Sequence, residues 1–175
     1  NRLTAAAQFI ENFKHRKTLV AAMTDAFAQQ AAPSALHRWL ASLDSPMIVD
    51  TWYDDTMGQA LATRSDWAQV QGLSQSEHFG TWVGWYTPEG AGSPDALAAR
   101  TVLYKPWGGR SSAGNYLVSD SDFVEVLTEI DIQTPIPTLV QQRRASLGFV
   151  FLGCRFNDQL RSEEHTSELQ SPCCI

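Results

Sequence analysis

The sequence predicts an α/β domain of the Rossmann-like, doubly wound kind, with a largely parallel sheet. Short, continuous apolar runs stand at Met47-Ile48-Val49, Thr101-Val102-Leu103-Tyr104 and Gly148–Gly153, as expected of strands buried on both faces. Helix-like segments separate these runs, and each run ends in a polar or glycine-rich turn. The competing expectation is an α+β fold with antiparallel hairpins around residues 67–86, where Trp67, Val70, Trp82, Val83, Trp85 and Tyr86 suggest strands.

Each element has its own local reason. Residues 5–31 read as helix: Ala is abundant, neither Pro nor Gly interrupts, and apolar side chains recur at Phe9, Phe13, Leu19, Val20, Met23 and Phe27. His15-Arg16-Lys17 marks a break within it. Pro33 and Ser34 restart a helix through Trp39, Leu40 and Leu43, with Pro33 near the first turn, where its missing N–H costs nothing. Asp44-Ser45-Pro46 is a turn into the first strand. Residues 54–63 form a helix with Asp54 and Asp55 in its first turn, where the helix dipole favours acids. Pro88 to Pro94 is a glycine-rich loop, and Pro106 with Gly108-Gly109 ends the second strand. Residues 119–131 begin with a Ser-and-acid cap, and a basic helix near Leu139–Ala145 follows Pro135 and Pro137.

Composition narrows the function classes. The chain has 175 residues and is 43% apolar, enough for one packed core. Thirteen basic residues against nineteen acidic ones give a net charge of −6, which argues against a nucleic-acid or anionic-membrane surface. No apolar run approaches the ~20 residues of a membrane span and no signal segment opens the chain, so a cytoplasmic location is expected. Arg161–Ser171, RSEEHTSELQS, reads as the translation of a common DNA-sequencing adapter. Residues 161–175 are therefore set aside as a non-native tail, and residues 1–160 are taken as a domain truncated at both ends. Of three cysteines, Cys173 and Cys174 fall in the tail. Cys154 alone supports neither a disulfide framework nor a zinc site, so no metal is expected.

Ligands of doubly wound sheets bind beyond the carboxyl ends of the strands. Three strand ends qualify: Asp50–Asp55, Lys105–Gly109 and Gly153–Asp158. Here Thr51-Trp52-Tyr53-Asp54, then Lys105-Pro106-Trp107-Gly108, then Phe151-Leu152-Gly153 with Asp158, resemble the T-N-Y-D, K-x-H-G and F-x-G-x-x-x-x-D motifs of bacterial sirtuin-like domains. Pro33 and His37 echo that family's P-x-x-x-H. The resemblance covers roughly residues 5–160. It implies a fold that binds NAD, as ligand or substrate, and an activity that cleaves the nicotinamide–ribose bond. Many bacterial relatives hydrolyse NAD in antiphage defence, so fused or partner effector domains are implied as well. The pairs of zinc-binding cysteines of deacylating members are missing, and the glycine-rich phosphate loop is expected upstream of Asn1.

The departures bear on chemistry. Trp52 stands at the family's Asn position and Trp107 at its His position. The Asn holds a water or a ribose hydroxyl and the His is the general base. An indole offers only an N–H donor. Thr51, Tyr53, Asp54, Gly108 and Gly153 match the motifs and are the cofactor-binding candidates. The leading expectation is thus a nucleotide-binding domain without an intact catalytic pair, in a larger bacterial defence or signalling protein. Two alternatives stand beside it: an active NAD glycohydrolase using Asp54 or His78 to position water, and a non-catalytic interaction domain. Blander roles are open for every residue named. Trp52 and Trp107 can be core aromatics, Asp54 and Asp55 helix acids, and His37 a boundary residue. Lys105 and Arg155 are either phosphate contacts or solvated charges, and Cys154 is expected to be packed rather than reactive.

Overall fold

In the computed structural model the described residues are 3–92, 98–130, 136–145 and 147–153. The N-terminal helical stretch divides into α1 (Leu3–Lys14) and α2 (Arg16–Ala26). The break falls at His15, which adopts a left-handed φ of 69° that a helix interior does not tolerate. Helix α3 (Ala35–Ser42) is opened by a reciprocal cap: Ser34 Oγ accepts from the His37 N–H, and the His37 ring accepts from the Ser34 N–H. Then come β1 (Met47–Val49), α4 (Thr56–Leu61), β2 (Trp67–Gly72), β3 (Val83–Thr87), β4 (Gly90–Ala91) and β5 (Thr101–Lys105). The short strands β6 (Gly108–Gly109) and β7 (Asn115–Tyr116) precede α5 (Asp120–Ile130) and α6 (Thr138–Arg144).

The main sheet has the order β1-β5-β2-β3-β4. β5 runs parallel to both neighbours, with Leu103 opposite Ile48 on one side and Gln69 on the other. β3 and β4 add antiparallel to the β2 edge. The antiparallel pairing foreseen around residues 67–86 is therefore real, but it extends a parallel core instead of replacing it. β2 and β5 are buried at every position, as central strands must be. Alternation along β5 sends Leu103 to one face, where it packs with Ala41, Met57, Ala60, Leu61 and Trp67 under α3 and α4. Val102 and Tyr104 face the other way, against Val70 and Val140 of α6. Helices thus cover both faces, as the doubly wound class requires.

One expected strand is absent. Residues 149–152 form no ladder, Val150 is 84% exposed, and the Phe149 and Phe151 rings stack on each other with centroids 6.0 Å apart. An uninterrupted apolar run carries no period, so it cannot by itself announce a sheet neighbour. Among the described residues β1 lies at the sheet's edge, and residues 149–152 are not part of any strand. Gly153 closes it with a φ of 72° and no heavy atom within 4 Å of where a Cβ would stand. Cys154, Arg155, Asp158 and the tail lie outside the described residues.

The α1–α2 pair is tied to the rest by a buried ion pair. Arg16 Nη1 donates to Asp122 Oδ2 at 2.8 Å, and Arg16 Nη2 donates to the Tyr116 carbonyl. Asp122, in the first turn of α5, also accepts from the N–H groups of Val118 and Ser119, and its Oδ1 accepts from Ser74 Oγ. Burial alone would push this carboxyl up. The charge and hydrogen bond of Arg16, with the two backbone donors, outweigh burial and hold it below the usual carboxylate range. A depressed carboxyl contributes stability that is present above its unfolded pKa and is lost as pH falls through its folded one. Glu125 has the opposite sign: burial first, then Asp122 and Glu11, push its carboxyl up, so its contribution is lost as pH rises. Asp122→Asn is accordingly expected to be less stable near neutrality and to lose stability less steeply than the parent below about pH 4. Urea unfolding across that range reads both effects, and parallel pH profiles for the two proteins would contradict the assignment.

Candidate functional site at the carboxyl edge

Because β1, β5 and β2 are parallel, their carboxyl ends share one edge, and the loops that follow them gather there. The organising group is Lys105, the last residue of β5 and only 2% exposed. Its ammonium donates to Asp50 Oδ2 at 2.7 Å, to the Trp52 carbonyl at 2.7 Å and to the Asp54 carbonyl at 2.9 Å. All three protons are thereby used inside the protein. Lys105 is neither a phosphate contact nor a solvated charge: it staples loop 50–54 to the end of β5. Asp50 completes the loop by accepting the Trp52 N–H on its other oxygen, Oδ1.

The loop after β5 is fixed to the same segment. The Arg110 N–H donates to the Tyr53 carbonyl, and the Tyr53 hydroxyl donates to the Leu117 carbonyl at 2.8 Å. Asp55 accepts from the Ser111 N–H at 3.1 Å, the Ser111 hydroxyl at 2.9 Å and Arg110 Nη1 at 3.1 Å. Gly108 needs to be glycine twice over: its φ is 76°, and a Cβ there would stand 2.2 Å from the Asn115 carbonyl oxygen. Beneath this turn, the fully buried Gln71 of β2 donates to the Gly109 carbonyl, and Asn115 accepts the Ser74 N–H.

The structure therefore brings together Thr51, Trp52, Tyr53, Asp54 and Gly108 on loops locked to each other. Trp52 is not a core aromatic: it is 55% exposed and leans edge-on against Phe27, at the end of α2, with centroids 5.6 Å apart. Trp107 is half-buried and packs edge-on against Phe123 of α5 at 5.7 Å. Tyr53 is buried between Phe27 and Tyr116. Asp54 Oδ1 accepts the Thr56 N–H at the start of α4, a helix-acid role. His37 is used as a cap at the start of α3, and His78 is exposed in the loop between β2 and β3. Gly153 lies at a bend after α6, and residues 149–152, expected to form the strand that carries it, form none.

Sequence reasoning missed Lys105 as a staple and Asp55 as the acceptor for Arg110 and Ser111, and it missed Gln71, Asn115 and Arg110 altogether. A signal existed for part of this: Gln69 and Gln71 are two apart in an otherwise apolar strand, which marks one face of β2 as polar-lined. Nothing in the local sequence shows where Lys105 finds its acceptors, which come from residues 51 to 55 positions away.

A parallel sheet with helices on both faces and loops converging at the carboxyl edge defines a Rossmann-like α/β domain. Residues 46–170 match the family of SIR2-like domains, and the chain belongs to that family. Helices α1 to α3 precede the matched span. No curated protein matches the chain. Among the described residues no group of three or more His, Cys, Asp or Glu side chains is placed to hold a metal ion, and no helix is long and apolar enough to cross a membrane.

Removing the Lys105 ammonium strands the mostly buried Asp50 carboxylate and two carbonyl oxygens. Lys105→Met is expected to cost about 3–5 kcal/mol. Lys105→Met with Asp50→Leu should recover part of that loss, because no buried charge is then left unpaired. Chemical denaturation checks both, and a single variant within about 1 kcal/mol of the parent would contradict the staple.

Proposed function

We propose that this domain binds NAD or an ADP-ribose-type nucleotide at the carboxyl edge of β1, β5 and β2 and scarcely cleaves it. Membership of the SIR2-like family supports the nucleotide. The observation that carries the non-catalytic part is an indole at both Trp52 and Trp107, where the sirtuin-like resemblance calls for a water-holding amide and a general base. An indole has no basic lone pair to take a proton. Loss of a general base alone typically removes about 10²–10⁴-fold in rate.

The residues present fit such a ligand. Trp52 leaves over half of its surface open at the rim, at 55% exposure, and an exposed indole stacks well on a flat heterocycle. The buried Gly108–Gly109 turn carries no side chain of its own. Of the candidate binding residues, Tyr53 and Gly108 are engaged in shaping the loops, so their part is indirect. Thr51 and Asp54 are left to meet ribose hydroxyls, Asp54 through the carboxylate oxygen that the Thr56 N–H does not use. Gly153, after α6, is the one candidate that these loops do not hold. Bound NAD would bring a cleavable nicotinamide–ribose bond, with indoles at the two positions where the resemblance calls for the amide and the base. The setting that accords with the bacterial relatives is a cytoplasmic defence or signalling protein with further effector domains.

The test incubates the chain with NAD, follows free nicotinamide, and measures NAD and ADP-ribose binding in parallel. Saturable binding with turnover far below about 1 per second is expected. Turnover at or above that rate would overturn the proposal in favour of an active hydrolase using Asp54 or His78. Absence of binding to both nucleotides would favour a non-catalytic interaction domain. In a binding-competent, inactive parent, Trp52→Asn with Trp107→His is expected to restore slow cleavage.

A further inference from the structure

Arg110 holds an unfilled hydrogen-bonding face beside this edge. Its backbone N–H is used on the Tyr53 carbonyl and its Nη1 on Asp55. Its Nε is buried with no acceptor among the described residues, and its Nη2 has none there either. In a guanidinium, Nε–H and the neighbouring Nη2–H point the same way as a two-pronged fork, the geometry that grips carboxylate or phosphate oxygens in pairs. The fork is held in place from behind. Asp55 fixes Nη1 and is itself fixed by the Ser111 N–H and hydroxyl, while the side chain remains 30% exposed.

We infer that Arg110 is an oxyanion-binding residue of this site, its Nε–Nη2 fork taking phosphate oxygens of the bound nucleotide. The inference rests on the nucleotide reading for the ligand's identity, but the oxyanion chemistry follows from the fork alone. Lys105, a second cation at this edge, has no proton to spare. The negative charge of Asp55 offsets the positive charge of Arg110, so recognition here is by paired, directional hydrogen bonds more than by net charge. A lysine retains the charge and loses the fork.

The probes are inorganic pyrophosphate, ADP-ribose and the phosphate-free adenosine, titrated calorimetrically into the parent chain and into Arg110→Lys. Pyrophosphate and ADP-ribose are expected to bind the parent and to weaken about tenfold or more in the variant, with adenosine affinity unchanged. Equal affinities for both phosphate ligands in the two proteins would overturn the inference while leaving nucleotide binding intact. Failure of the parent to bind pyrophosphate would overturn it, and so would an equal loss of adenosine affinity, which would mark Arg110 as merely structural. Pyrophosphate binding that depends on Arg110, without ADP-ribose binding, would keep the oxyanion site and sink the nucleotide. If Arg110→Lys loses its native thermal transition, the arginine Nε–H resonances of the parent carry the test. One of them should shift on adding pyrophosphate, and an unmoved set would overturn the inference.

Discussion

An ammonium buried at the end of a central strand must be given an acceptor for each of its protons, because an unpaired charge there would cost several kcal/mol. Lys105 meets that demand with the Asp50 carboxylate and the carbonyls of Trp52 and Asp54. The requirement shapes the whole edge. Loop 50–54 must curl back over β5 with two carbonyls turned inward, which sends the Trp52 ring outward and Tyr53 into the core. The following acid, Asp55, is then placed to catch Arg110 and Ser111 from the next loop. Two loops far apart in sequence become one rigid rim.

That rim is built independently of the side chains at the positions to which the resemblance assigns chemistry. The groups that hold the loops are Lys105, Asp50, Asp55, Gln71 and Asn115, and none of them is a position where the resemblance places catalysis. On the proposed reading, Trp52 and Trp107 stand where the resemblance places reacting groups, and neither indole makes the Lys105 and Arg110 hydrogen bonds that hold the two loops together. Trp52 stands on Phe27 and Trp107 on Phe123, so each indole is supported by a helix outside the sheet. The α1–α2 pair contributes the Phe27 support and is itself anchored through Arg16 and Asp122, which links the N-terminal helices to the site's geometry.

Elements whose reasons are local were legible in the sequence. The break at His15, the helix restart at Pro33 and Ser34, the cap before α5 and the β1 and β5 runs all follow from propensity, capping or apolarity. The run at 149–152 misled because its apolarity records a preference for burial and says nothing about a partner strand. Only motif positions were legible: Thr51, Trp52, Tyr53, Asp54 and Gly108 lie on neighbouring loops, whereas no strand carries Gly153 to them. The polar frame beneath them was not legible. A lysine, two glutamines and an asparagine look like surface residues until the topology carries them inside, and their partners lie dozens of residues away.

The central claim is that the stapled carboxyl edge is where a nucleotide is held. A crystal structure of the chain soaked with ADP-ribose tests it most directly. The account predicts ligand density at the ends of β1 and β5, with a ring against Trp52 and the diphosphate toward Arg110. Density at the opposite edge, in the cleft lined by Arg38, Arg64 and Arg100 before β2 and β5, would contradict it.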